Sequence, residues 1–106
     1  MAWIAVLLAG LLEIVWASSM KLSEGFTRPG PTIVTLVTMA ASFFLLAWAM
    51  RSLPLGTAYM VWTGIGALGA FVVGVVTLGE PLGVLRVAAA ALILAGIVLM
   101  KLGTPG

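Results

Sequence analysis

Residues 2–22 read AWIAVLLAGLLEIVWASSMKL, and that stretch decides the fold. It is apolar from end to end except for one mid-run carboxylate, Glu13. Its length is what the hydrocarbon core of a bilayer asks of a helix, about 20 residues. The one side chain of opposite sign in the run is Lys21, near the far end. An ionisable group at mid-bilayer costs about 2.5–3.5 kcal/mol on insertion scales, and chains that carry one use it for an ion, proton or substrate pathway.

Composition puts the remaining residues in the same setting. Of 106 residues, 63% are hydrophobic and 8% charged, with a mean hydropathy of +1.30. Soluble domains carry about a quarter charged residues, so an integral membrane protein is expected, with no room for a separate soluble domain. The absence of Cys rules out disulfide and thiol chemistry, and the absence of His removes the commonest metal ligand. The three acids stand far apart in the sequence. We therefore expect no metal, no cofactor and no enzymatic reaction. A pI near 9.7 in a soluble protein would hint at nucleic acid. Here the five basic residues fall at span ends, where they anchor helices and set orientation, so no nucleic-acid partner is expected. The N-terminus lacks a basic region ahead of its apolar run, and Glu13 interrupts that run, so it reads as a span and not as a signal peptide.

Segments rich in turn and breaker residues divide the chain: Ser23 to Pro31, Arg51 to Gly56 and Gly79 to Gly83. Spans are predicted at about 2–22, 32–50, 57–78 and 84–102. Short connections make each span antiparallel to the next. The expected fold is an all-α integral membrane protein, a single domain over residues 1–106 with four transmembrane helices. Four helices enclose little space for a pathway, so an oligomer is expected.

Basic side chains fall almost evenly on the two membrane faces. Arg51 and Lys101 share the side of the N-terminal amine; Lys21, Arg28 and Arg86 lie on the other. Two against three gives no firm orientation. Either another feature fixes the topology, or copies insert both ways and pair antiparallel. Many transporters alternate between faces by means of inverted repeats. No clear internal repeat is visible here, and an inverted second copy would supply one.

Wound as a helix at about 100° per residue, the first span aligns Val6, Ala9, Gly10, Glu13, Ala17 and Met20, with Trp16 at the edge. The small residues admit another helix close to Glu13, which is expected to face the bundle interior. The simpler alternative is a carboxyl that only holds helices together. Loss of water favours the protonated form of a carboxyl. A group that takes either a proton or a cation, but not both, is the minimal device for antiport. In span three, Tyr59, Trp62, Thr63 and Gly66 share a stripe. A Tyr hydroxyl can donate to a carboxylate, and aromatic faces attract cations. Equally, Tyr59 and Trp62 suit an interfacial aromatic belt. In span two, Met39, Ser42 and Phe43 cluster on one face. Ser42 either orients Glu13 or bonds to its own helix backbone. Span four carries no mid-span polar group and reads as a packing or dimerisation helix, with Arg86 and Lys101 as anchors.

These residues together resemble the small multidrug resistance family of proton-coupled exporters. The likeness covers essentially the whole chain. It is carried by Glu13, by the segment Lys21 to Arg28, and by Leu53-Pro54-Leu55-Gly56-Thr57-Ala58-Tyr59 leading into Val61-Trp62-Thr63-Gly64-Ile65-Gly66. The resemblance implies an antiparallel homodimer in which both copies of Glu13 line one site and exchange protons for a cation. Tyr59 and Trp62 match aromatics lining that site. Gly10 to Ala17, with Trp16 one turn after Glu13, is similar to the branch that exports guanidinium and small guanidinyl cations from the inner membrane. Ser42, Ala47 to Pro54, Gly66 to Ala70 and Lys101 resemble the same branch. By contrast, Ser19 to Arg28 looks more like the branch that exports quaternary ammonium and other bulky cations, and Met60 replaces a residue commonly Ala. The implied site is Glu13 for protons and substrate, lined by Gly10, Trp16, Met39, Ser42, Tyr59 and Trp62. A small dual-topology ion channel is the alternative from another class, although a passive channel has no need of a titratable carboxyl.

If copies insert both ways, a label placed at the C-terminus will be reached by an impermeant reagent from both faces of the membrane. Labelling from one face alone would show a fixed topology.

Overall fold

The computed structural model describes residues 1–104. Four helices follow in order: α1 (Ala2–Leu22), α2 (Pro29–Ala49), α3 (Leu55–Thr77) and α4 (Val84–Leu102). Each is long and apolar enough to cross a bilayer, and no strand occurs among the described residues. α2 starts at Pro29, earlier than the expected Thr32. Proline suits the first helical turn, because its missing N–H is one that no helix bond would use. α3 likewise begins just after Pro54.

The helices stand in a nearly single layer. α1 is central, packed on α2 at one side and on α3 at the other, and α4 packs on α3 alone. The resulting slab measures 42 × 34 × 16 Å, where one helix with its side chains is about 10–12 Å across. The buried apolar core is correspondingly small: Ala5, Val6, Ala9, Leu46, Ala49, Leu53, Ala58, Val61 and Trp62. It lies where α1, α2 and α3 meet. No residue of α4 is buried.

Missing side chains set the helix spacing. At Gly10 of α1, a Cβ would come within 2.6 Å of the Ile65 side chain of α3. In return, α3 presents Gly66 to Glu13 and Gly69 to Ile14, and a Cβ at either would overlap the side chain it faces. On its other side, a Cβ at Gly64 would come within 2.8 Å of the Ile97 side chain of α4. Small residues let backbones approach in this way within membranes, where helix association leans on close packing.

The loops are tied down locally. Ser23 is fully buried and organises the first loop. Its hydroxyl donates to the Met20 carbonyl at 2.6 Å and accepts the Phe26 N–H at 3.0 Å. Its carbonyl accepts the N–H groups of Thr27 and Arg28. That wrapping holds Glu24 and Phe26 at positive φ, 50° and 67°, a region costly to residues other than glycine. In the third loop the Glu80 N–H donates back to the Gly74 carbonyl at 3.0 Å. Arg86 then reaches Glu80 at 3.7 Å and stacks over Phe71 at 5.3 Å. At the far end of α4, Thr104 and Thr57 hydroxyls meet at 3.1 Å.

Gly10→Ala is therefore expected to destabilise the folded protein by about 1–3 kcal/mol, the usual range for overpacking. Gly96→Ala, where a Cβ meets open space within the protomer, controls for the helix propensity that alanine adds. Thermal melts of the two purified variants check this, and equal melting points would refute the packing role of Gly10.

Candidate functional site

Glu13 projects from the middle of α1 toward α3, into the space left by Gly66. Its Oε1 is sealed from solvent and has no hydrogen-bond partner among the described residues. One turn further along α1, the indole N–H of Trp16 is equally buried and equally unpartnered. An unused acceptor and an unused donor thus sit three residues apart on one helix. Helix geometry places such a pair on one face. Polar groups without partners are expensive in a bilayer, where no water replaces them.

Ser42 departs from both expectations for it. It bonds neither to the Glu13 carboxyl nor to its own helix. Its hydroxyl donates across to the Ala9 carbonyl of α1 at 2.7 Å and accepts the Trp62 indole N–H of α3 at 3.0 Å. In an α-helix the carbonyl of residue 9 is also the acceptor for the N–H of residue 13. Ser42 therefore ties down the backbone turn that carries Glu13. Other hydroxyls in these spans, on Ser18, Thr32, Thr35 and Thr38, follow the simpler habit of bonding four residues back.

Trp62 does not belong to an interfacial belt. It is 7% exposed and carries the hydrogen bond to Ser42. Tyr59 is half exposed, with its ring centroid 5.5 Å from that of Trp62. Phe43 lies 5.8 Å from Trp62 and 6.1 Å from Trp16, edge to face in both cases. Trp16, Phe43, Trp62 and Tyr59 thus form a continuous row across α1, α2 and α3. Phe43 is absent from the expected lining set, although its position next to Ser42 and one turn after Met39 is the signal that marks it. Met39 is partly buried on α2. At Gly10 the Ile65 side chain of α3 occupies the space a Cβ would take.

A carboxyl beside a row of π-faces can hold a proton or a cation. The faces attract positive charge, and the carboxylate takes N–H donors. A separate cleft of about 530 Å³ opens between α3 and α4, lined by Tyr59, Met60, Thr63, Gly64, Ile93 and Gly96 among others. Of the expected site residues it contains Tyr59 alone.

A family model described as Small Multidrug Resistance protein matches residues 1–93. A guanidinium exporter of Yersinia pseudotuberculosis serotype I (strain IP32953) is 58% identical over 104 residues, which span 98% of this chain and 100% of the relative. A guanidinium exporter of Escherichia coli (strain K12) is 54% identical over 104 residues, 98% of this chain and 99% of its own. One from Citrobacter freundii is 53% identical with the same coverage.

Ser42→Ala removes the acceptor of a buried indole N–H and is expected to cost about 1–3 kcal/mol. Trp62→Phe removes the donor, so the double variant should lose clearly less than the sum of the two single losses. Unfolding measurements on the four proteins of the cycle test this, and strict additivity would show that the bond contributes nothing.

Proposed function

This chain belongs to the Small Multidrug Resistance family, and from that premise we propose that it exports guanidinium and small guanidinyl cations in exchange for protons. It is a multi-pass membrane protein, and its setting is the inner membrane of a bacterial cell. The observation that carries the reading is the sealed and unpartnered Glu13 carboxyl beside the unpartnered Trp16 N–H. Both groups belong to half of a site.

The other half is a second copy of the same chain, inverted in the membrane. One helix layer leaves α4 without a fully buried residue and a cleft beside α3 unfilled, so a second layer has surface to cover. Near balance of basic residues on the two faces permits either orientation. In such a dimer two Glu13 carboxylates face one space. Each holds a proton or shares in a cation, and the two titrate as a coupled pair. The cation displaces protons on one side of the membrane, protons displace the cation on the other, and rocking of the two inverted copies exposes the site alternately. Guanidinium is planar and offers paired N–H donors that match carboxylate oxygens. Trp16 and Tyr59 donate to the same oxygens and hold them in place. The 53–58% identity to proteins named guanidinium exporters supports this substrate class.

A second reading, export of quaternary ammonium cations, draws support from the row of four aromatic rings. Those cations have no N–H to offer and bind to π-faces and apolar walls. The bulk of Trp16 beside Glu13 favours the smaller, planar cation.

Reconstituted in liposomes, the protein is expected to give proton-coupled currents with guanidinium, reduced in Glu13→Gln to background, and no comparable current with tetramethylammonium. A pH-independent current, or exchange by Glu13→Gln, would overturn antiport. Transport of quaternary ammonium without any response to guanidinium would reverse the substrate assignment.

A further inference from the structure

Lys101 and Trp3 close the top of a groove that the transport reading does not use. The groove has a volume of about 270 Å³ and is lined by Trp3 and Leu7 of α1, Val61 of α3, and Ile97, Val98 and Lys101 of α4. α1 and α4 do not pack on each other along their lengths, so α3 forms the floor between them. The ammonium of Lys101 stands 4.6 Å from the Trp3 ring centroid and spans the mouth. From Ile97 to Leu102 the groove runs about 8 Å along α4, at about 1.5 Å per residue.

The charges around this mouth are one-sided. The single ion pair among the described residues is Arg86 with Glu80, at the opposite membrane face. Glu24 and Glu80 both lie in loops of that opposite face, and Glu13 lies mid-span. Lys101 and Arg51 thus share a face that holds no acidic side chain. Trp3 offers its ring here, with the Lys101 ammonium above it, while its indole N–H is covered by the protein itself. A ligand that completes this corner brings negative charge, acceptor oxygens and an apolar tail. Inorganic phosphate lacks the tail. A zwitterionic lipid brings its own ammonium to compete with Lys101.

We propose that the α1–α4 groove holds an anionic phospholipid, with its phosphate on Lys101 and the start of one acyl chain over Val61. Basic side chains at helix ends draw anionic headgroups. Here the apolar groove beside the lysine adds a seat for the chain. In an inverted pair each leaflet would carry one such site. The rival partner for Lys101 is an acidic side chain of an inverted second copy, whose Glu24 and Glu80 would arrive at this face. Glu80 is already engaged by Arg86.

Native mass spectrometry from mixed phosphatidylglycerol and phosphatidylcholine tests the proposal, with assembly state read in the same spectra. The wild-type protein should retain phosphatidylglycerol preferentially. Lys101→Gln should weaken that preference about fivefold, Lys101→Arg should keep it, and Arg51→Gln, on the same face but away from the groove, should leave it unchanged. Excess inorganic phosphate should leave the lipid bound. Equal retention of the two lipids by the wild type, or an unchanged preference in Lys101→Gln, overturns the proposal. So does a Lys101→Gln variant that falls apart into monomers while its lipid preference stays the same, since Lys101 would then serve the second copy.

Discussion

A protomer with so small a buried core offers little shelter, and Glu13 needs it. That conflict governs most of what the chain does. Its slab is 16 Å thick, so nearly every side chain borders either lipid or whatever lies against the other face. Apolar residues lose nothing in such a place, because lipid tails are as apolar as they are. A carboxyl loses a great deal. Either its cost is borne within a monomer, or a second layer supplies the missing surroundings. The unpaired atoms of Glu13 and Trp16 and an α4 that buries no residue fully favour the second outcome.

The polar and apolar parts of the structure answer that constraint together. Glycines at positions 10, 66 and 69 draw α1 against α3 until side chains fill the gaps. The Trp62–Ser42–Ala9 chain then links three helices with every donor spent. Together they leave one carboxyl and one indole N–H unsatisfied at a defined place, next to four aromatic rings. The rigid surroundings make that deficit useful, since a loosely packed carboxyl would find a backbone partner of its own.

Much of the fold was legible in residues alone because hydrocarbon thickness is such a coarse ruler. Four apolar runs separated by Gly- and Pro-rich breaks allow few other divisions. Helix starts were less legible, since Pro29 and Pro54 read as breakers and as openers with equal ease. Glu13 stood out through its cost. Ser42 did not disclose its partners, because its bonds to Ala9 and Trp62 cross 33 and 20 positions of sequence. No local rule separates a hydroxyl that bridges helices from one that bonds four residues back. The glycines were visible as a small-residue pattern, but which side chain enters which notch depends on helix rotation. Phe43 was placed on the face of Met39 and Ser42, but its packing against Trp16 and Trp62 depends on helix rotation.

The direction of that three-helix hydrogen-bond chain has a consequence for where protons can go. Trp62 gives its N–H to Ser42, and Ser42 gives its only hydroxyl proton to a backbone carbonyl. An indole nitrogen donates and does not accept, and a carbonyl in mid-helix has no proton to pass on. The chain is therefore an insulator. In the proposed antiport, a proton released by Glu13 would find no path through this Trp62–Ser42–Ala9 chain. Under the proposed antiport, the hydrogen-bonded neighbours of the Glu13 turn therefore offer no proton path of their own.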